Sequence, residues 1–259
     1  MEWVDWVLSR EFRQFILDNG LFFWLLFLAR VVGMTALELV APARSISYRS
    51  VIVQDVTAFL FYQFVVLSVA GILSSYVAIR ASIPDVIMAL PVWVRFIMYF
   101  IVGDFGAYWL HRLLHTRHLW RAHKWHHSPT TMYWLGGGVR ASILQQAIFN
   151  LPWIFAYPLF NLAPWWMGLA VVTVHTITND WMHMNVTWRS NWLEWIIVTP
   201  RSHHIHHSEN PIHYQANFGV IFSLWDRLFG TYVPPDSVKT PLTFGIGERV
   251  PLVRLVLGV

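Results

Sequence analysis

Two short stretches, HKWHH at residues 123–127 and HHIHH at 203–207, share an HxxHH spacing. On a helix, offsets of three and four fall on one face, so His123, His126 and His127 converge on one small volume. His203, His206 and His207 repeat that pattern, while His204 points elsewhere. A further pair, His111 and His115 in HRLLH, sits one helical turn apart on a single face. The chemistry these residue types offer is metal binding, because imidazole suits zinc, copper, iron and nickel alike. Hydrogen bonds alone would have to satisfy eight rings close to a membrane surface, where unpaired polar groups are expensive. Eight clustered rings also exceed the roughly four to six positions of one ion, so two ions are implied.

His183, in NDWMHMN, is a ninth candidate ligand. His175 lies eight residues earlier with Asn179 between them; it is either a tenth ligand or a span histidine that is only hydrogen-bonded. Asp180, three before His183, is a candidate acceptor for the second N–H of that ring. Asp104 shares the helical stripe of His111 and either does the same for a metal-bound imidazole or pairs with Arg112 or Arg95. His118, His204 and His213 have weaker geometry and read as rim residues, His204 being the first candidate to touch substrate or metal. Absences narrow the chemistry further. The chain has no cysteine, which excludes disulfides, thiolate nucleophiles, Cys-based zinc sites and iron–sulfur clusters. It has no HExxH of the zinc proteases and no ExxH pair of the ferritin-like di-iron carboxylate sites. With 14 acidic residues, most of them far from these clusters, the site must be ligated by nitrogen. A dinuclear histidine centre in apolar surroundings suits activation of O₂ beside an alkyl chain.

The elements that carry these residues are apolar. Of 259 residues, 56% are hydrophobic and 12% charged, which favours a multi-pass membrane protein over a soluble globule. Sixteen tryptophans fit aromatic belts at the interface. The net charge of +4 fits arginines facing anionic headgroups. No basic helix interleaved with stacking aromatics suggests nucleic acid. Residues 1–20, with Trp3, Trp6, Val7, Phe12, Phe15 and Ile16 among charges, read as an amphipathic helix lying on the membrane. Spans follow at 21–42, 51–79 and 87–110, and 141–184 reads as a hairpin of two helices broken at Pro152, Pro158 and Pro164. That hairpin brings both histidine knots to one side of the bilayer. Arg112, Arg117, Arg121, Lys124 and Arg140 place this side in the cytoplasm, although Arg10 and Arg13 lie opposite.

The ordered set DFGAYWLHRLLH, HKWHHS, HMNVTW…LEW, TPRSHHIHH and NFGVIFSLWDRLFGTY resembles the fatty acid hydroxylase/sterol desaturase superfamily over residues 95–235. The resemblance implies an all-α, polytopic bundle of about four transmembrane helices under a cytosolic helical cap. Residues 21–259 would form that single domain. Two irons would be held by His111, His115, His123, His126, His127, His183, His203, His206 and His207, with His175 as the further candidate. Some relatives have a histidine where this chain has Asn179. The implied reaction is hydroxylation or desaturation of a lipid C–H bond with O₂, using electrons from a separate ferredoxin, cytochrome or reductase. Ether lipids, carotenoids and sterols are alternatives to acyl chains. Trp125, Tyr133 and Trp134 are candidates to line an acyl channel or to anchor at the interface. Arg140, after the flexible GGG of 136–138, either grips an anionic headgroup or faces the headgroups as a surface residue. The rival class is a metal transporter, whose ligands usually lie at mid-bilayer rather than beyond span ends. The excess of arginine over lysine points to a bacterial cytoplasmic membrane.

Overall fold

Helix α1 (Arg10–Val40) runs unbroken for 31 residues, through Gly20, and is about 46 Å long at 1.5 Å per residue. It belongs to a computed structural model that describes residues 10–62, 84–162 and 165–259. The first nine residues, with Trp3, Trp6 and Val7, lie outside the described residues. So do most of the span expected over 51–79, residues 80–83 of the turn after it, and Pro164. Within α1, Gly20–Val40 is the one stretch among the described residues long and apolar enough to cross a membrane. Leu21, Trp24, Leu28, Val32, Leu39 and Val40 on it are exposed, while Glu38 is buried.

The described residues are helical, with no strand; isolated bridges such as Pro42–Val186 and Ile197–Phe222 stitch loops together. After α2 (Ile52–Phe61) and a single turn at Asp85–Met88 comes α3 (Val92–Leu114). One stripe of α3 is buried: Phe100, Gly103, Asp104, Ala107, Tyr108, His111 and Leu114, recurring every three or four residues. Its opposite side is also apolar but exposed, through Trp93, Ile97, Ile101, Phe105, Trp109 and Leu113. Short helices α4 (Trp120–His127) and α5 (Trp134–Val139) follow.

The first arm of the expected hairpin is split into α6 (Ile143–Phe149) and α7 (Leu151–Leu159), and the returning arm is α8 (Trp165–His183). Pro152 begins α7 instead of breaking it, since a proline in a first turn has no N–H to lose. Pro158 is tolerated inside the last turn of α7. α7 approaches α3 where that helix has glycine: a Cβ on Gly103 would overlap the Trp153 ring, and one on Gly106 would overlap Pro152. Tyr99, Phe100, Trp153, Phe160, Met167 and Val171 fill the core between α3, α7 and α8.

The remaining helices are α9 (Pro200–His206), α10 (Leu224–Leu228) and α11 (Leu252–Leu257), with a turn at Pro211–Tyr214. The sequence TPRS starts α9: the Thr199 hydroxyl accepts from the Ser202 N–H, Ser202 returns the contact, and Pro200 fills the first turn.

Candidate metal centre

Four helices bring their histidines to one place. α3 ends on His111 and His115, α4 carries His123, His126 and His127, α8 ends on His183, and α9 carries His203, His206 and the capping His207. The nine rings form two groups. His111, His115, His123, His127 and His206 make one, and His126, His183, His203 and His207 the other. Within each group, candidate ligand atoms lie within 4.8 Å of one another. The groups adjoin: the His127 and His207 rings stack with centroids 4.5 Å apart. Every one of the nine residues is buried.

Backbone carbonyls set three of the rings. His111 Nδ1 donates to the Phe218 oxygen at 2.7 Å, His206 Nδ1 to Ala216 at 2.8 Å and His183 Nδ1 to Asn179 at 2.6 Å. A carbonyl only accepts, so the proton sits on Nδ1 and the Nε2 lone pair faces inward. His206 Nε2 has no hydrogen-bond partner among the described residues, and neither nitrogen of His115 has one. Nitrogens of His123, His126, His127, His203 and His207 are likewise buried and unpartnered.

Hydrogen bonding does not resolve the inner contacts. His203 Nε2 lies 3.0 Å from both His183 Nε2 and His207 Nε2, and His111 Nε2 lies 3.1 Å from His123 Nε2. One imidazole nitrogen offers one proton or one lone pair, so His203 cannot serve both neighbours well. A cation shared by the three serves all of them. Nitrogens about 3 Å apart also match adjacent ligands of one ion with metal–nitrogen bonds of about 2.1 Å. The residues present therefore fit a metal in each group. Burial pushes the His111 ring down to about 4. Burial, reinforced by neighbouring imidazoles, holds His115, His123, His126, His127, His203, His206 and His207 well below the ordinary value. At neutral pH these rings are uncharged, the form that ligates.

The loop 216–222 holds two of the orienting carbonyls, and carboxylates hold the loop. Asp226 accepts from the Phe218 and Gly219 N–H groups at 2.8 and 2.7 Å. Asp104 accepts from the N–H groups of Ile221 and Phe222, both at 2.9 Å, and from the Trp225 indole at 3.0 Å. Among the described residues Asp104 thus bonds neither a histidine nor an arginine: its carboxylate is already filled by that loop. Asn217, at φ 54, occupies the left-handed region and ties Ser202 to Val233 through its side chain. The orienting role of Ala216, Asn217, Phe218 and Asp226 escaped sequence reasoning, since a backbone carbonyl leaves no residue-type signal. The nearest signal was the asparagine of NFG, a residue type that tolerates positive φ.

Asp180 also has a different partner from the one expected. It pairs with Arg30 of α1 at 2.6 and 2.8 Å, because that guanidinium reaches it bidentately while the Asn179 carbonyl already takes the His183 proton. His175 stands outside both histidine groups; its Nε2 lies 2.9 Å from the Tyr99 hydroxyl, and its ring packs on Trp153. His204 is outside them as well. Arg44 donates to its Nδ1 at 3.0 Å, so its Nε2 carries the proton and donates to the His183 oxygen at 3.1 Å.

Arg140 is buried and pairs with Asp55 at 2.5 Å, so it neither grips a headgroup nor lies on the surface. An aspartate on α2 had already compensated it. The Tyr133 hydroxyl donates to the other oxygen of Asp55 at 2.7 Å, and the Trp134 indole to Thr35 at 3.2 Å. Trp125 is buried with its indole N–H unpartnered among the described residues. The three glycines before Arg140 are tightly packed, not a flexible tract. A Cβ on Gly137 would overlap the His183 ring, and one on Gly138 the Asn179 side chain.

The fatty acid hydroxylase family model matches residues 96–231, a stretch that contains all nine clustered histidines. Alkylglycerol monooxygenase of Danio rerio is 37% identical over 150 residues, covering 57% of this chain and 33% of that protein. The Xenopus tropicalis alkylglycerol monooxygenase is 33% identical over 154 residues, 59% of this chain and 34% of that one. Ornithine lipid hydroxylase OlsE of Rhizobium tropici is 30% identical over 166 residues, 62% of this chain and 48% of its own. The match thus spans about a third of the length of these alkylglycerol monooxygenases. No solved structure matches. A family model covering more than half the chain, laid over the two histidine groups, places this protein in the fatty acid hydroxylase family.

Proposed function

We propose that the chain is a multi-pass membrane oxygenase that hydroxylates or desaturates an alkyl C–H bond of a lipid. Two irons would be held by the nine clustered histidines, with His111, His115, His123, His127 and His206 on one and His126, His183, His203 and His207 on the other. The observation that carries this reading is the pair of buried imidazole groups, seven of whose nine rings keep a nitrogen unpartnered among the described residues. When bound, the irons would supply activation of O₂: in hydroxylation one oxygen atom enters the C–H bond and the other leaves as water, in desaturation both leave as water, each at the expense of two electrons and two protons. A ferredoxin, cytochrome or reductase delivers the electrons. The chain's own residues orient and exclude. Phe218, Ala216 and Asn179 fix ring tautomers, and burial keeps the imidazoles neutral and bulk water away. His204 acts at one remove, through the His183 carbonyl.

The membrane arrangement follows the apolar segments. About four transmembrane helices, drawn from the apolar segments 21–42, 51–79 and 87–110 and the proline-broken hairpin of 141–184, suspend the histidine cap at the cytoplasmic face of a bacterial membrane. The exposed apolar sides of α1 and α3 support lipid contact there. The relatives point to a lipid substrate, with an alkylglycerol or an ornithine lipid ahead of sterols or carotenoids.

Lipidomics of cells grown under ¹⁸O₂, with the protein expressed or absent, tests this. The expected result is one lipid class that gains a labelled oxygen or loses two hydrogens, with His203→Ala abolishing the change. Unchanged lipids, together with metal uptake into proteoliposomes without O₂ consumption, would replace the oxygenase with a transporter.

A further inference from the structure

Helix α4 has a second side. Its histidines face the centre, while Arg121 and Lys124 border a surface cavity of about 300 Å³ whose other walls come from the C-terminal segment. That segment contributes Arg249, Arg254 and Glu248, so four cationic side chains surround one acidic side chain. Lys124 is paired with Glu248 at 2.5 Å. Among the described residues, no carboxylate pairs with Arg121, Arg249 or Arg254, and all three are exposed. Guanidinium groups gathered around one cavity repel each other unless an anion joins them, and their forked donors match phosphate oxygens.

The cavity is a product of the fold. Gly258, the left-handed cap of α11 at φ 79, lies against Ala122 of α4 and Ser142, with no room for a Cβ. The Ser142 hydroxyl in turn donates to the Ala122 carbonyl at 2.6 Å. This contact seats α11 across α4 and brings Arg254 to the cavity that Arg121 borders. Apolar side chains flank the cations: Leu252, Val253 and Leu257 on α11 are 55%, 63% and 45% exposed. Exposed leucine and valine beside unpaired arginine is the composition of a helix lying at a headgroup boundary.

We infer that Arg121, Arg249 and Arg254 form a phosphate-binding site, with Lys124 and Glu248 as its rim, on the reverse side of the helix that carries three of the histidines. The flanking apolar residues make the phosphate of an anionic membrane lipid its first source, and a soluble phosphate the second. This site is separate from the oxidation chemistry, and its test does not depend on activity.

The full-length, metal-loaded protein is exchanged into mixed micelles containing equal amounts of phosphatidylglycerol and phosphatidylcholine. Lipid retained after washing is then measured by mass spectrometry, alone and in the presence of inorganic phosphate. Wild type should retain phosphatidylglycerol preferentially, and the preference should fall about fivefold for each arginine replaced in R121Q, R249Q, R254Q and the triple variant. Unchanged metal content and melting temperature confirm folding, and the single variants serve if the triple variant does not fold. Arg117→Gln, exposed and outside the cavity, should leave the preference intact. Preference that withstands inorganic phosphate assigns the site to the lipid. Displacement by phosphate, or phosphate binding by calorimetry that the triple variant loses, assigns it to a soluble phosphate. The absence of both a lipid preference and phosphate binding in wild type overturns the inference, as does a preference that the triple variant keeps or that Arg117→Gln reduces equally.

Discussion

His203 joins the smaller histidine group, with its Nε2 3.0 Å from those of both His183 and His207. His203→Ala should leave the five-histidine group intact and reduce the metal content from two ions per chain to one, measured by plasma mass spectrometry. His204→Ala, one residue along but outside both groups, should keep two ions at saturation. It should weaken affinity by about 10–100-fold, as removal of an orienting contact does. The buried rings also make stability depend on pH. Histidine titrates near 6.5 when unfolded, and His111 is held at about 4 when folded. Between these values the unfolded chain binds more protons, so the metal-free fold should lose stability as pH falls from about 6.5 to about 4. Melting temperatures of chelator-treated protein check this, and a flat profile would show that the rings are not buried as described. The rings themselves were legible because offsets of three and four survive any helix packing. Their partners were not. Asp104 shares the stripe of His111, yet its oxygens go to backbone N–H groups more than a hundred residues away, which no local spacing encodes.

At the level of elements, close approach and buried charge position the centre. α5 meets α8 through glycine, so Gly137→Ala drives a methyl into the His183 ring. It should cost about 1–3 kcal/mol and lower metal content with it. Gly33→Ala in α1 meets nothing within 4 Å among the described residues and should be neutral or stabilising by about 0.5–1 kcal/mol. Detergent-resolved thermal unfolding distinguishes the two. Asp55→Asn leaves the Arg140 guanidinium buried without its counter-charge. A loss of about 3–5 kcal/mol is expected, seen as a lower melting temperature and yield. Hydropathy could show that 141–184 is apolar and interrupted, but not that Pro152 starts a helix. It also could not separate a flexible GGG from one selected for contact, because both look the same without the neighbour that fills the space. Arg140 reads as a headgroup residue until Asp55 is brought beside it.

For the molecule as a whole, the absence of cysteine makes sidedness directly measurable. His118→Cys and Lys239→Cys, both exposed and outside the histidine groups, should react with an impermeant thiol reagent only from the cytoplasmic side. Labelling from opposite sides would be incompatible with a single cap. The central claim is that nine histidines from four helices hold a pair of irons. Mössbauer spectroscopy of protein loaded with ⁵⁷Fe, with the metal counted in the same sample, tests it most directly. Two irons per chain, coupled to each other, with only the iron of the smaller group lost in His203→Ala, are expected. A single uncoupled iron, or none bound while zinc occupies both groups, would contradict it.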